Sequence, residues 1–135
     1  MINKNKIFII AEIGVNHNGN FNNAIKLINH AVDANCNAVK FQTFNPDKLL
    51  KKNTELAEYQ KMNSKFKNMY DLIKRYTFSY EQFYKIKKYC DKKKIIFMST
   101  PFDNDSAIFL NKIGMKIFKT SSTDNQNFLL LDLIK

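Results

Sequence analysis

The chain has 135 residues, 44% of them hydrophobic and 25% charged, a balance that supports one folded domain and excludes a disordered segment. No apolar run approaches the roughly 20 residues of a membrane-spanning helix, and no apolar stretch with a small-residue cleavage site follows Met1, so a cytoplasmic protein with no membrane partner is expected. The net charge of +10 invites a nucleic-acid reading. However, Lys85, Lys87, Lys88, Lys92, Lys93 and Lys94 crowd one amphipathic helix and its exit, and no RNP-like, KH-like or zinc-finger pattern accompanies them, so a solvated basic face is expected and nucleic acid is not.

Four short apolar runs each end in a polar cluster: Ile7 to Glu12, Ala38 to Thr43, Ile95 to Thr100 and Met115 to Thr120. They read as buried strands. Between the first two, Ala24, Leu27, Ile28, Ala31 and Val32 follow the spacing of a one-sided helix. Asn45 to Thr77 is a longer connection with no apolar strand run, in which a short helix fits around Phe66, Met69, Tyr70 and Ile73. Ser79 with Gln82 three residues on predicts a capping box at the start of the next helix. Asp103 caps a third helix carrying Ala107, Phe109, Leu110 and Ile113; Gly114 suits its end, and Phe128 to Leu131 opens a fourth. Cys36 and Cys90 are far apart, match no metal-ligand spacing and read as reduced, structural thiols.

The order is βαβαβαβα, which makes either an open doubly wound sheet or a closed barrel. No GxGxxG loop is present, and polar residues fall at four strand ends in a row, which a barrel rim explains better than a single switch point. The fold class expected is therefore α/β, with parallel (β/α) units forming the first half of a TIM barrel across residues 1–135.

The polar clusters carry the chemistry. Glu12 at a strand end suits acid–base work or a sugar hydroxyl, and suits equally a rim salt bridge. His17, in a turn before Asn18-Gly19, reads as a structural hydrogen-bonding group. Lys40 and Gln42 alternate onto one side of their strand, and a lysine inside an apolar strand is costly to bury unless it meets an anion. Ser99, Thr100 and Asp103 precede a helix N-terminus, where hydroxyls and free N–H groups suit phosphate or carboxylate oxygens; plain N-capping can coexist with that. Lys119 stands beside Thr120, Ser121, Ser122, Thr123 and Asp124. Two strand-end lysines with hydroxyl clusters point to a small phosphorylated or multiply carboxylated substrate.

AEIGVNHNG, VKFQTF, AEYQK, STPFD and the KTSSTDNQN stretch, in this order and spanning Ile7 to Ile134, resemble the N-terminal half of the N-acetylneuraminate (sialic acid) synthase family. That resemblance implies a TIM barrel followed by an antifreeze-like domain and a domain-swapped homodimer for the full-length protein. It implies condensation of phosphoenolpyruvate with N-acetylmannosamine or a related hexosamine, giving a nine-carbon 2-keto sugar acid and phosphate. It also implies a divalent metal, Mn2+ or Mg2+, whose histidine ligands come from later strands not in this chain, so that 1–135 alone is expected to be inactive. Lys40, Thr100, Lys119 and Ser122 would hold phosphoenolpyruvate, Glu12 would lie near the reacting carbons, and Gln42 and Asp124 would orient the acceptor. Tyr59, Gln60 and Asn63 would be further acceptor contacts on the long connection. Asp124 stands where many members have Glu, and Thr123 where some have Gly, which leaves the acceptor open. Legionaminate or pseudaminate synthases would show much the same motifs, and a truncated barrel that only binds anions is the alternative from another class.

Overall fold

The computed structural model describes residues 7–56, 58 and 66–135. Three parallel strands, β1 (Ile10–Gly14), β2 (Ala38–Thr43) and β3 (Ile96–Pro101), form a sheet in sequence order. Consecutive parallel neighbours require crossovers, and the helices supply them: α1 (Phe21–Asp33) between β1 and β2, then α2 (Pro46–Leu49), α3 (Met69–Arg75) and α4 (Tyr80–Lys93) between β2 and β3. Beyond β3 come α5 (Asn104–Lys112), a 3-10 turn at Ser122–Asp124 and α6 (Phe128–Ile134).

Each long helix forms where its signals stand. Asn20 caps α1 by accepting the Asn23 N–H, and Ala24, Ile28 and Ala31 are its buried stripe. Ser79 and Gln82 close the capping box of α4, whose Phe83, Ile86 and Cys90 turn inward. These residues meet Ile13, Val39, Phe41 and Phe97 in one apolar cluster, with the Phe41 ring 5.8 Å from Phe97 and edge-on to Phe83 at 6.3 Å. Both cysteines are free, and burial pushes the Cys90 thiol up to about 12, so it behaves as a small apolar side chain.

The fourth expected strand is not realised as a ladder. Among the described residues, only a single parallel bridge, Ser99 to Phe118, marks it. Met115 is buried there through its side chain, and its sulfur accepts the Ser99 N–H at 3.1 Å. The Ser99 N–H, which a ladder would direct to a backbone carbonyl of this segment, is thereby taken by a side chain. β1 likewise begins at Ile10, three residues later than its apolar run, although the Ile9 carbonyl still accepts the Asn37 and Ala38 amides. In the long connection the helix begins at Met69, and a further short helix at Pro46–Leu49 carries no apolar periodicity to announce it.

The loop after β1 is docked against the end of that connection. His17 is buried and stacks on Phe78 with ring centroids 4.1 Å apart, while its Nδ1 accepts the Gly19 N–H at 3.1 Å. Gly19 has φ +69°, and a Cβ there would overlap the Arg75 carbonyl oxygen, so only glycine fits. Burial is the main reason that the His17 pKa falls from 6.5 to about 4, against an opposing hydrogen bond with the Gly14 backbone.

Two outcomes follow. The folded state holds His17 neutral while the unfolded chain protonates near 6.5, so stability is constant above that pH from this group and declines as pH falls from 6.5 toward about 4. The full loss is about 3 kcal/mol, and His17→Phe should flatten the slope in denaturant titrations across that window; an unchanged slope would assign the dependence elsewhere. Ile7, Phe128 and Leu129 are 87%, 69% and 78% exposed, and Ile10 and Ile96 are each 40% exposed. Polypeptide 1–135 on its own should therefore self-associate, and light scattering that found a dispersed monomer with a sharp thermal transition would refute this.

Candidate active site at the strand ends

The register of the sheet sorts side chains onto two faces. Ile13, Val39, Phe41 and Phe97 pack toward the helices, which leaves Glu12, Lys40, Gln42, Met98 and Thr100 on the opposite face. Glu12, Lys40 and Met98 are aligned partners across the three strands, and Gln42 aligns with Thr100 one layer nearer the C-terminal rim. This layering is how inward side chains of a (β/α) barrel are arranged.

Lys40 is the electrostatic centre of the face. Its side chain is 12% exposed, and its ammonium is ion-paired with the Glu12 carboxylate, which is 52% exposed. The register shifts between Glu12 and Gly14, so β1 bulges at the rim. A Cβ on Gly14 would lie 3.3 Å from Glu12 Oε1 and 3.7 Å from Gln42 Nε2, so the two side chains converge over bare backbone. Gly14 is therefore part of the site although its sequence context gave only a strand end. Thr100 is buried beside Gln42.

Ser99 belongs to the other face. Its hydroxyl pairs with Thr43 Oγ1 at 2.8 Å, both side chains being fully buried, so it is a structural hydroxyl. Asp103 is engaged as a helix cap, accepting the Ser106 N–H at 2.9 Å. Phe118 aligns with Ser99, which places exposed Lys119 one step further along, level with Thr100. Ser122, also exposed, opens the 3-10 turn. Asp124 closes it: Oδ1 accepts from Asn127 Nδ2 at 3.2 Å, while Oδ2 is buried with no donor among the described residues. Such an acceptor is costly to leave unmet and suits a ligand hydroxyl or a water. Tyr59, Gln60 and Asn63 lie outside the described residues.

The described residues do not fit a divalent metal. Among the described residues no three His, Cys, Asp or Glu side chains converge. His17 is committed to Phe78 and Gly19, and His30 is exposed on α1. No helix of the described residues is long and apolar enough to cross a membrane.

Residues 27–135 match the family model described as the NeuB family. N,N'-diacetyllegionaminic acid synthase of Legionella pneumophila is 42% identical over 89% of this chain and 34% of its own length. N-acetylneuraminate-9-phosphate synthase of Homo sapiens is 28% identical over 93% of this chain and 35% of its own. Among solved structures, the N-acetylneuraminic acid (sialic acid) synthetase of Leptospira borgpetersenii serovar Hardjo-bovis, in complex with citrate, superposes with a TM-score of 0.78 at 33% identity, covering 98% of this chain and 45% of that one. The chain thus spans about a third of the length of the curated relatives it matches.

Proposed function

The chain belongs to the NeuB family, and we propose that it supplies the phosphoenolpyruvate-binding half of a synthase that makes nine-carbon 2-keto sugar acids for carbohydrate biosynthesis. The observation that carries this reading is Lys40. A nearly buried ammonium on the central strand, flanked by Gln42 and Thr100 on the same face, suits a small polyanion that competes with Glu12 for it.

In this reading Lys40, Thr100, Lys119 and Ser122 hold the phosphate and carboxylate of phosphoenolpyruvate. Its C3 forms a bond to the aldehyde carbon of the open-chain hexosamine, and positive charge develops at C2. In the same reading Glu12, which is ion-paired with Lys40 and leans over Gly14, acts near the reacting carbons. Water adds at C2, and the tetrahedral intermediate expels phosphate by C–O cleavage, leaving the 2-keto acid. The fixed cations and hydroxyls act by orientation and charge stabilisation, which strengthen where water is excluded. Gln42 and the unmet Oδ2 of Asp124 take hydroxyls or amide groups of the acceptor.

For the acceptor, a hexosamine with two N-acetyl groups now stands ahead of the N-acetylmannosamine that the motifs alone put first. The reason is the 42% identity to the diacetyllegionaminic acid synthase against 28% to the N-acetylneuraminate-9-phosphate synthase. Three of the nine product carbons come from phosphoenolpyruvate, so both N-acetyl groups of such a product must arrive on the six-carbon partner. The homodimer and the cytoplasmic location stand as part of the same proposal for the full-length protein.

The test is phosphate release by the full-length protein with phosphoenolpyruvate, a divalent metal and either a diacetamido-hexose or N-acetylmannosamine. Consumption of the diacetamido sugar with the higher kcat/KM supports the reading, and failure with every N-acylated hexosamine refutes it. Lys119→Ala should lower kcat/KM for phosphoenolpyruvate by roughly 100- to 1000-fold, as expected for removing a fixed cation from a charged transition state. Glu12→Gln should bind phosphoenolpyruvate more tightly, because Lys40 loses its internal competitor, yet turn over more slowly. Asp124→Glu should shift the ratio of kcat/KM between the two acceptors with little effect on the donor, since the carboxylate moves by about one methylene. Polypeptide 1–135 alone should release no phosphate.

A further inference from the structure

We infer that Asp103 is a positioning residue that ties the start of the long β2–α4 connection to the rim of β3, and thereby fixes how the chain leaves the candidate site just beyond Gln42, the residue that the synthase reading gives to the acceptor. The inference rests on the synthase reading for its kinetic consequence and on geometry alone for the tie. As the cap of α5, Asp103 needs only one acceptor, and Oδ1 meets the Ser106 N–H at 2.9 Å. Its second oxygen does something a cap does not require. Oδ2 accepts the backbone N–H of Asn45 at 2.8 Å, across 58 residues of sequence, and the Ser106 hydroxyl at 2.8 Å. Asp103 is 9% exposed as a residue, so these three charge-assisted bonds form with little competing water.

Asn45 is the second residue past β2 and the cap of α2, its side chain accepting the Asp47 N–H. One carboxylate on the β3 side therefore fixes the point where the connection leaves the sheet. The neighbouring contacts hold the same seam. The Phe102 N–H donates to the Thr43 carbonyl at 3.0 Å, and Lys48 of α2 is ion-paired with Asp105 of α5. Thr100, three residues before Asp103, sits on the site face of this seam. Freed from Asp103, the Asn45 amide would have to find water, and the chain beyond it would lose its fixed departure angle. The donor site on β2 and β3 would stay in place, because its strands are paired independently of Asp103.

Asp103→Ser in the full-length protein separates capping from tethering. Serine is an equally good cap and retains the Ser106 bond, but a single short hydroxyl cannot also meet Asn45. Asp103→Asn is the second variant, a good cap whose amide N–H₂ cannot accept a bond. Amide hydrogen exchange should accelerate at Asn45 by about tenfold or more while Ser106 stays protected. The KM for the acceptor sugar should rise by about tenfold with the KM for phosphoenolpyruvate changed less than twofold and the melting point preserved within a few degrees. If exchange at Asn45 is unaltered in a folded variant, the tether does not exist. If Asn45 is freed and the acceptor KM does not move, the tether has no positioning role. Absence of turnover in the unaltered protein would instead sink the synthase reading, and the exchange measurement would still decide whether Asp103 holds Asn45.

Discussion

The architecture hangs on the two-sidedness of β2. Hydrogen-bonded to β1 on one edge and β3 on the other, this central strand cannot slide or rotate, and its residues alternate between an aromatic core and a charged face. Phe41 has no exposed surface and packs among Phe83 and Phe97, while Lys40 next to it points away and meets Glu12. A slip of one residue would drive an ammonium into the aromatic cluster and a phenyl ring out of it. Isolated charges do not survive in such surroundings, so core packing and the candidate binding site enforce the same register. The chemistry at the rim is thereby inherited from the packing behind it.

Much of this was legible because short-range rules govern it. The alternation of Val39-Lys40-Phe41-Gln42 assigned faces correctly, since a strand buried on one side has only one way to place them. Ser79 with Gln82, and Asp103 ahead of an apolar stripe, marked helix starts through local hydrogen bonds that need no distant partner. Met115 to Thr120 carries the same apolar pattern, yet a ladder depends on tertiary pairing, and here the Met115 sulfur takes the Ser99 N–H and pairing is reduced to the bridge at Phe118. Ser99 and Thr100 look alike in sequence; the pleat sends one to a buried hydroxyl pair with Thr43 and the other to the site face. Gly14 carries no local signal of its role, because that role is to be absent as a side chain, and the convergence of Glu12 with Gln42 above it is a tertiary fact. The second oxygen of Asp103 was equally hidden, because its partner lies 58 residues away.

Charge on the molecule divides into two populations. Lys85 and Lys87 are ion-paired one turn away with Glu81 and Asp91 on α4, and Lys88 and Lys93 lie over the Tyr84 and Tyr89 rings. Such exposed pairs are screened by water, contribute little to stability and serve mainly solubility. Lys40 belongs to the other population, held at low exposure by a pair that a stronger anion can replace. The overall basicity of the chain therefore says little about its ligand, and the placement of one lysine says more.

The seat of Gly19 beneath the Arg75 carbonyl, with His17 laid on Phe78, has a mechanical consequence. Two segments that approach so closely, one following β1 and one preceding α4, have no slack between them. Neither can swing outward without unstacking the rings and vacating the glycine's place, so the rim opens there as a single cooperative unit or stays shut.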